Sequence, residues 1–380
     1  MSGPPERLAP HERHARWWSA ALAVLMVCTV VTAATARPGQ QDRDDQRRRE
    51  RLDDANRRDA AVLVGLVDAA VTGRPASDFA IAWRNDFFKA QTGTFVPFTV
   101  TVDRATLSAA SALMYVRAMH REPTAPAMGR SAQVRYPFEL IFPVEIQGDG
   151  GPIRITRGFA VPPGDYDVYV ALRERRGDPV GTEPRLKAAV LKQPLSVPDF
   201  WAGELATSSV MLADRIDPLR DVPAVDDVLE RPYVIGESEI HPAAVSSFRK
   251  DRELIVVFLI YNATVSADRN FDIQVDYDLF RTLPAAAVSD GASAVNGEPT
   301  GDHPVARPGE RYVTHTTPQR FKPALMGADF DPEAGHPMMA GQGILLSSFE
   351  EGEYRLGITV TDLLSRRTLS RDVTFTVVGS

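Results

Sequence analysis

The sequence predicts an all-β chain, and three stretches predict it. The first is Gly352 to Val378, where Tyr354, Leu356, Ile358 and Val360 alternate with Arg355, Gly357 and Thr359. After a polar turn, Val373, Phe375 and Val377 alternate with Asp372, Thr374 and Thr376, which is the period-two pattern of an antiparallel hairpin with one buried face. The second is its echo at Gly164-Asp165-Tyr166, where a glycine, an acid and a tyrosine again open an alternating run through Leu172, followed by a second strand through Leu186 to Leu195. The third is Glu253 to Tyr261, a nearly continuous apolar run that reads as a strand buried on both faces. Together these give two antiparallel β-sandwich domains, of Ig/fibronectin III-like type, preceded by an N-terminal apolar helix and a charged helical spacer.

The chain of 380 residues is long enough for two domains that each bury a core. Its 29 prolines suit many loops between short strands. A net charge of −7 argues against a nucleic-acid partner. At the start, Arg7, Arg13 and Arg16 precede an uncharged run from Trp17 to Ala36 that ends in Ala34-Thr35-Ala36. A basic region, an apolar region and a small-x-small site make residues 1–36 a signal peptide or membrane anchor. As a helix rising ~1.5 Å per residue, residues 17–36 would also span ~30 Å of hydrocarbon if uncleaved. The body is therefore expected to be exported: periplasmic, membrane-anchored or extracellular. The single cysteine, Cys28, lies inside the apolar run, so the exported part has no disulfide.

Residues 37–77 form the charged spacer and an amphipathic helix. Acids and arginines interleave from Arg37 to Arg58, a composition that buries no core. Leu63, Leu66, Val67, Ala70 and Val71 then share one helical face, with Gly73 and Pro75 as the stop. That stripe must pack on the first β-domain or on a partner. The first β-domain is assigned to residues 78–216, with strands at Val96 to Val102 and Phe138 to Ile146, the Tyr166 hairpin, and a last strand near Ser208 to Ala213. Pro97, Pro137 and Pro143 mark edge or bulged strands, because proline lacks the ladder donor. A proline- and acid-rich linker follows at residues 217–231, and the second β-domain occupies 232–380. Within that domain, the strand from Phe271 to Leu279 presents Asp272, Asp276 and Asp278 on an acidic, wet face.

Chemical motifs are absent. There is no GxSxG, HExxH, GxxxxGK[ST], CxxC or GxGxxG, which removes nucleotide binding and the standard hydrolases. Asp329, Asp331 and Glu333 alternate on a loop in the way that oxygen ligands for calcium do, although Pro332 stiffens the middle and the sixth position lacks glycine. Calcium is thus the one cofactor the residues suggest. His303, His315 and His336 are far apart in sequence for a zinc site. Asn262-Ala263-Thr264 matches a glycosylation acceptor, which matters only in a eukaryotic secretory pathway.

The runs PFTVTVD (Pro97 to Asp103), FAVPPGDYDVYVALRER (Phe159 to Arg175), DFWAGELATSSVMLADRI (Asp199 to Ile216), GILLSSFEEGEYRLGITVTD (Gly343 to Asp362) and RDVTFTVV (Arg371 to Val378) resemble exported bacterial proteins of unknown function, of the kind common in Acidobacteria. The phrase after GEYRL also resembles the β-sandwich region of GWxTD-domain proteins, without the GWxTD pentapeptide. The resemblance implies an exported β-sandwich protein and transfers no catalytic residue. The function expected is a non-enzymatic cell-envelope binding or scaffold protein with a protein or envelope partner. The alternative is an exported hydrolase with a nonstandard, metal-assisted site near Asp329 to His336.

Overall fold

A computed structural model describes residues 40–122, 136–146, 150–175, 185–221, 224, 227–283, 306–327, 330–332 and 334–379, with side chains from residue 56 onward. The apolar run at residues 17–36, with Cys28, lies outside the described residues. Among those described, no helix is long and apolar enough to cross a membrane. The contacts divide the chain into residues 1–56 and residues 57–380.

Helix α1 spans Gln40–Val71 and ends as its sequence demands. Gly73 takes φ +82, its N–H bonds to Ala70 O at 3.0 Å, and the Arg74 N–H reaches Ala69 O at 2.9 Å. This pair of bonds closes the last turn and needs a residue free to adopt positive φ.

The first sandwich contains β1 (Ala82–Asn85), β2 (Phe88–Lys89), β3 (Thr94–Asp103), β4 (Ser111–His120), β5 (Phe138–Glu145), β6 (Pro152–Val161), β7 (Gly164–Glu174) and β8 (Ala188–Val197). One sheet pairs β1 and β2 with β3 and β3 with β6, and the other runs β5-β4-β7-β8. Their inner faces, carrying Phe98, Val100, Met114, Val116, Phe159 and Tyr166, enclose one core. The second sandwich contains β9 (Ala206–Thr207), β10 (Met211–Pro218), β11 (Val234–Ile235), β12 (Ser238–Pro242), β13 (Ser247–Arg249), β14 (Glu253–Tyr261), β15 (Ile273–Thr282), β16 (Glu310–His315), β17 (Gln319–Phe321), β18 (Met338–Leu345), β19 (Gly352–Asp362) and β20 (Arg367–Val378). Its sheets run β11-β12-β10-β14-β18 and β13-β20-β19-β15-β16. The two units repeat one plan: β1-β3-β6 over β5-β4-β7-β8 corresponds to β10-β14-β18 over β16-β15-β19-β20. This is the order of an immunoglobulin- or fibronectin-like sandwich. All described pairs are antiparallel except β13 with β20.

The repeated Gly-acid-Tyr motif is the same corner built twice. Gly164 and Gly352 open their strands at φ +143 and +144, and two residues later each strand carries a fully buried tyrosine. The Tyr166 hydroxyl donates to Pro162 O at 2.8 Å and the Tyr354 hydroxyl to Glu350 O at 2.7 Å.

Four expectations need correction. Pro97 is not in an edge strand: β3 has neighbours on both sides. The missing donor is tolerated because Pro97 faces the kink between β1 and β2, where only its carbonyl is used, by the Asp86 N–H at 2.9 Å. Pro143, in contrast, does lie in the edge strand β5. The strand expected to close the first sandwich forms as β10 but pairs with β14 of the second. The described residues within 217–231 are not slack between sandwiches, since Asp217 and Pro218 pair with β12 and the Gly158 N–H bonds to Leu229 O at 2.8 Å. Finally, the outer face of β15 and β19 is wet only in part: Asp272 and Asp276 are half-buried and Glu353 is exposed, but Asp278 is 0% exposed and Arg355 5%.

Arg355 is held by an ion network. Its guanidinium donates twice to Glu310, at 2.8 and 2.6 Å, and once to Asp372 at 2.8 Å, while stacking 4.1 Å over Phe280. Removing one partner strands a buried charge, so Arg355→Ala should cost about 3–5 kcal/mol rather than the near-zero cost of a solvated arginine. Leu356→Ala and Ile358→Ala, on the core face, should cost about 2–5 kcal/mol. Denaturant melts of the full chain check both. Hydrogen bonding to Arg355 holds the Glu310 carboxyl below its ordinary 4.5. This contribution is present above that pH and disappears as the pH falls toward the depressed value.

The sandwiches meet through a third apolar cluster. Phe88, with Phe87 and Phe95, packs on Met211, Tyr233, Val257, Leu259 and Tyr261 from the outer face of the β10–β14 sheet. Hydrogen bonds of the Phe87 backbone tie the same joint: its N–H donates to Ser209 Oγ at 2.9 Å, and the Ser209 N–H donates to Phe87 O at 3.1 Å. Inside it the Tyr233 hydroxyl donates to Asp86 Oδ2 at 2.7 Å. Burial pushes the Asp86 carboxyl up, against the lowering effects of Tyr233 and Arg84. The folded state therefore favours protonated Asp86. That stabilisation is complete below the ordinary 3.8 and is lost as the pH rises through the raised folded value. Asp86→Asn, which keeps an acceptor for Tyr233, should melt above wild type at pH 8, and thermal melts should show the gap closing toward pH 4.

Candidate binding surface

The loop end of the second sandwich forms a cleft of about 260 Å³. It lies just below the ~300–1,000 Å³ usual for small-molecule sites. Its walls are mostly apolar, with Val265, Phe271, Met326 and Phe330 among them, and an ion pair joins Arg269 Nη2 to Asp331 Oδ2 at 2.7 Å. The turn that presents Arg269 is tight. The Arg269 N–H donates to Ser266 O at 2.8 Å, the Ser266 N–H to Asn270 O at 2.9 Å, and Arg269 takes φ +58. On the opposite wall the Phe330 ring lies 5.6 Å from Phe271 and 6.0 Å from His336. The Asp331 N–H donates to His336 Nδ1 at 3.1 Å, so that nitrogen is an acceptor. Among the described residues the lining contains no serine, threonine, cysteine, histidine or lysine. The cleft can receive a small apolar group beside a guanidinium.

The residues expected to hold calcium are only partly placed. Asp329 and Glu333 lie outside the described residues. Asp331 is on the cleft wall with its carboxylate turned to Arg269 and to the Ala334 N–H at 3.3 Å. Among the described residues no group of three or more His, Cys, Asp or Glu side chains is arranged to hold a metal. His303 is likewise outside the described residues, and His315 bonds through Nδ1 to the Tyr312 hydroxyl at 2.7 Å. The three β15 aspartates do different things. Asp272 takes a bidentate hold on Arg320, with a 2.7 Å contact to Nη2, Asp276 accepts from Gln274, and Asp278 is buried.

A second surface group was not legible in the sequence. Trp201 is 48% exposed, yet its backbone N–H donates to Asp199 at 2.8 Å and its indole N–H to Gly93 O at 3.3 Å. The Lys89 ammonium lies 4.0 Å over its ring and donates to Asn262 Oδ1 at 2.8 Å. Burial pushes Lys89 down. Asn262, at φ +59, donates to Phe200 O at 2.9 Å and Glu204 O at 2.8 Å, so the amide of the Asn262-Ala263-Thr264 motif is occupied in tying β14 to the 199–204 turn. A Cβ on Gly335, beside the cleft, would lie 3.8 Å from the Trp201 ring.

No protein-family model matches the sequence, and no curated protein matches it. Among solved structures, the chain is similar to Escherichia coli alpha-2-macroglobulin activated by porcine elastase, at 10% identity and TM-score 0.21, covering 80% of this chain and 24% of that one. It is also similar to Salmonella alpha-2-macroglobulin reacted with methylamine, at 12% identity and TM-score 0.19, covering 78% of this chain and 16% of that one. The chain spans a quarter or less of the length of each. At these scores the likeness adds nothing to what the sheets themselves establish.

Proposed function

We propose that the protein is an exported binding or scaffold protein of the cell envelope, without catalytic activity. The observation that carries this reading is the seat of helix α1. Leu63 and Val67, each 0% exposed, pack on Leu113, Tyr115, Tyr169 and Ala171 from the outer face of β4 and β7. Asp68 pairs with Arg117 at 2.7 Å and Asp59 with Arg173 at 2.7 Å. The helix from residue 57 onward is thus part of the folded body. A tether built this way suits a protein that presents a fixed surface to partners. Asp217 and Pro218, paired with β12, and Leu229, bonded to Gly158, suit a two-sandwich body that moves as one piece.

Fusing residues 1–40 to a reporter active only after export should give signal, and a reporter held in the cytoplasm would overturn the reading. In the full chain, Val67→Asp buries an unpaired carboxylate between α1 and the sheet. Limited proteolysis should then cut within residues 57–71 of the variant and spare them in the wild type.

A further inference from the structure

The repeat allows each sandwich to be compared with its sister, position by position. In register, Tyr166 opposes Leu195 and Val170 opposes Leu191, while Tyr354 opposes Phe375 and Ile358 opposes Arg371. Aligned on the corner tyrosines, Arg371 occupies the place of Leu191. Leu191 packs against the core of the first sandwich, so the fold itself asks for an apolar side chain there. In the second sandwich, Leu369 and Val373 on either side of Arg371 obey that demand and pack against the core.

Arg371 reaches across the mouth between the sheets. Its Nε donates to Thr207 Oγ1 at 3.1 Å and its Nη1 to its neighbour's carbonyl, Ser370 O, at 3.1 Å. Among the described residues no carboxylate pairs with it, and burial pushes the guanidinium down. Half-buried Leu205 and Val210 line the facing side of the same core. A planar group with five N–H donors, partly removed from water and without an anion, is left with unused hydrogen-bonding capacity.

Among the described residues the strand edge beside it is also uncovered. The Thr376 N–H donates to Ser246 O at 2.8 Å and Val378 O accepts from the Lys250 N–H at 3.2 Å, so even-numbered residues of β20 point their main-chain groups away from β19. β13 uses only Thr376–Val378. Thr368, Ser370 and Thr374 thus direct main-chain groups to an edge that no described strand covers. In the sister sandwich the matching edge is covered. Residues 76–78 run antiparallel along β8 through the Ser77–Ala189 bridge, with the Val190 N–H donating to Ala76 O at 2.8 Å and the Asp78 N–H to Ala188 O at 3.0 Å. That covering segment also brings an acid, since Asp78 Oδ2 accepts from the Ala188 N–H at 2.9 Å.

We propose that the free edge of β20 is a docking site for an extended segment of a partner polypeptide, running antiparallel to β20 and carrying a carboxylate that pairs with Arg371. Strand addition gives affinity through main-chain bonds. Arg371 gives selectivity, because a strand that covers the edge without an acid buries an unpaired guanidinium. The site deepens the binding-protein reading by naming the chemistry of its partner.

The test uses the purified full chain and two fluorescent peptides of about nine residues, a typical strand length. Both alternate Val and Thr, one with Glu at its centre and the other with Gln. Fluorescence anisotropy should show the Glu peptide binding about ten-fold tighter or more, the effect of one charge-assisted pair. Arg371→Gln should bring the two affinities together. Ser370→Pro should abolish binding of both while leaving the melting curve unchanged, since proline is tolerated where the N–H faces solvent on an edge. Equal binding of the two peptides by the wild type, no binding at about 1 mM, or binding that survives Ser370→Pro would each overturn the proposal. The readout does not depend on the compartment of the chain, so such a failure would leave the export reading standing.

Discussion

Each sandwich is organised around a tyrosine that turns back on the loop it came from. The hydroxyls of Tyr166 and Tyr354 are satisfied by carbonyls four residues upstream, at 2.8 and 2.7 Å, and the rings are buried whole. A buried phenol without such a partner would carry the full cost of desolvation. The bond therefore ties the direction of the incoming loop to the packing of the ring. The glycine two residues earlier allows the approach, because its φ near +144 is open to few side chains. Once this corner is set, β7 and β19 enter their sheets in one register, and each accepts its hairpin partner and its central neighbour from there.

The strands that alternate were the legible ones, and the reason is physical. Period-two patterning appears where one face meets a core and the other meets water. The β19–β20 hairpin and β3 satisfy this closely enough to be found. β4 does not, since its inner residues face the first core while Leu113, Tyr115 and Arg117 lie under or beside helix α1. Covering the outer face erased the polar half of the pattern. The same cause hid the network at Arg355, where an alternating charge looked solvated and proved to be satisfied by Glu310 and Asp372. Sequence reports that a charge occurs at an outer position; it does not report that a neighbouring strand brings the countercharge.

Candidate sites were less legible than strands because their residues converge only in three dimensions. The acidic loop drew attention as a cluster of oxygens, yet the described carboxylate there, that of Asp331, is matched by Arg269 from a turn 62 residues away. The Trp201 group combines residues from four separate segments, each unremarkable alone. No spacing rule finds such a set.

The joint between the sandwiches shows how composition can point to the wrong boundary. Prolines and acids in residues 217–231 look like a linker, but the chain changes sandwich earlier, at β9 and β10, in a stretch as apolar as a strand. The clue was present in β14. Its continuous apolar run was legible as burial on both faces, and two surfaces are indeed covered: Val256, Phe258 and Ile260 face the second core, whereas Val257, Leu259 and Tyr261 face Phe88 and its neighbours. A strand with no wet face in a two-layer fold requires a third layer. Here that layer is the β2 hairpin of the first sandwich, so the run of apolar residues in one unit is an imprint of the other. The heart of the contact is apolar, and its polar groups are paired across it: Asp86 with Tyr233, the Phe87 backbone with Ser209, and the Lys89 N–H with the Tyr261 hydroxyl, so that parting the sandwiches would expose apolar surface and strand these groups together.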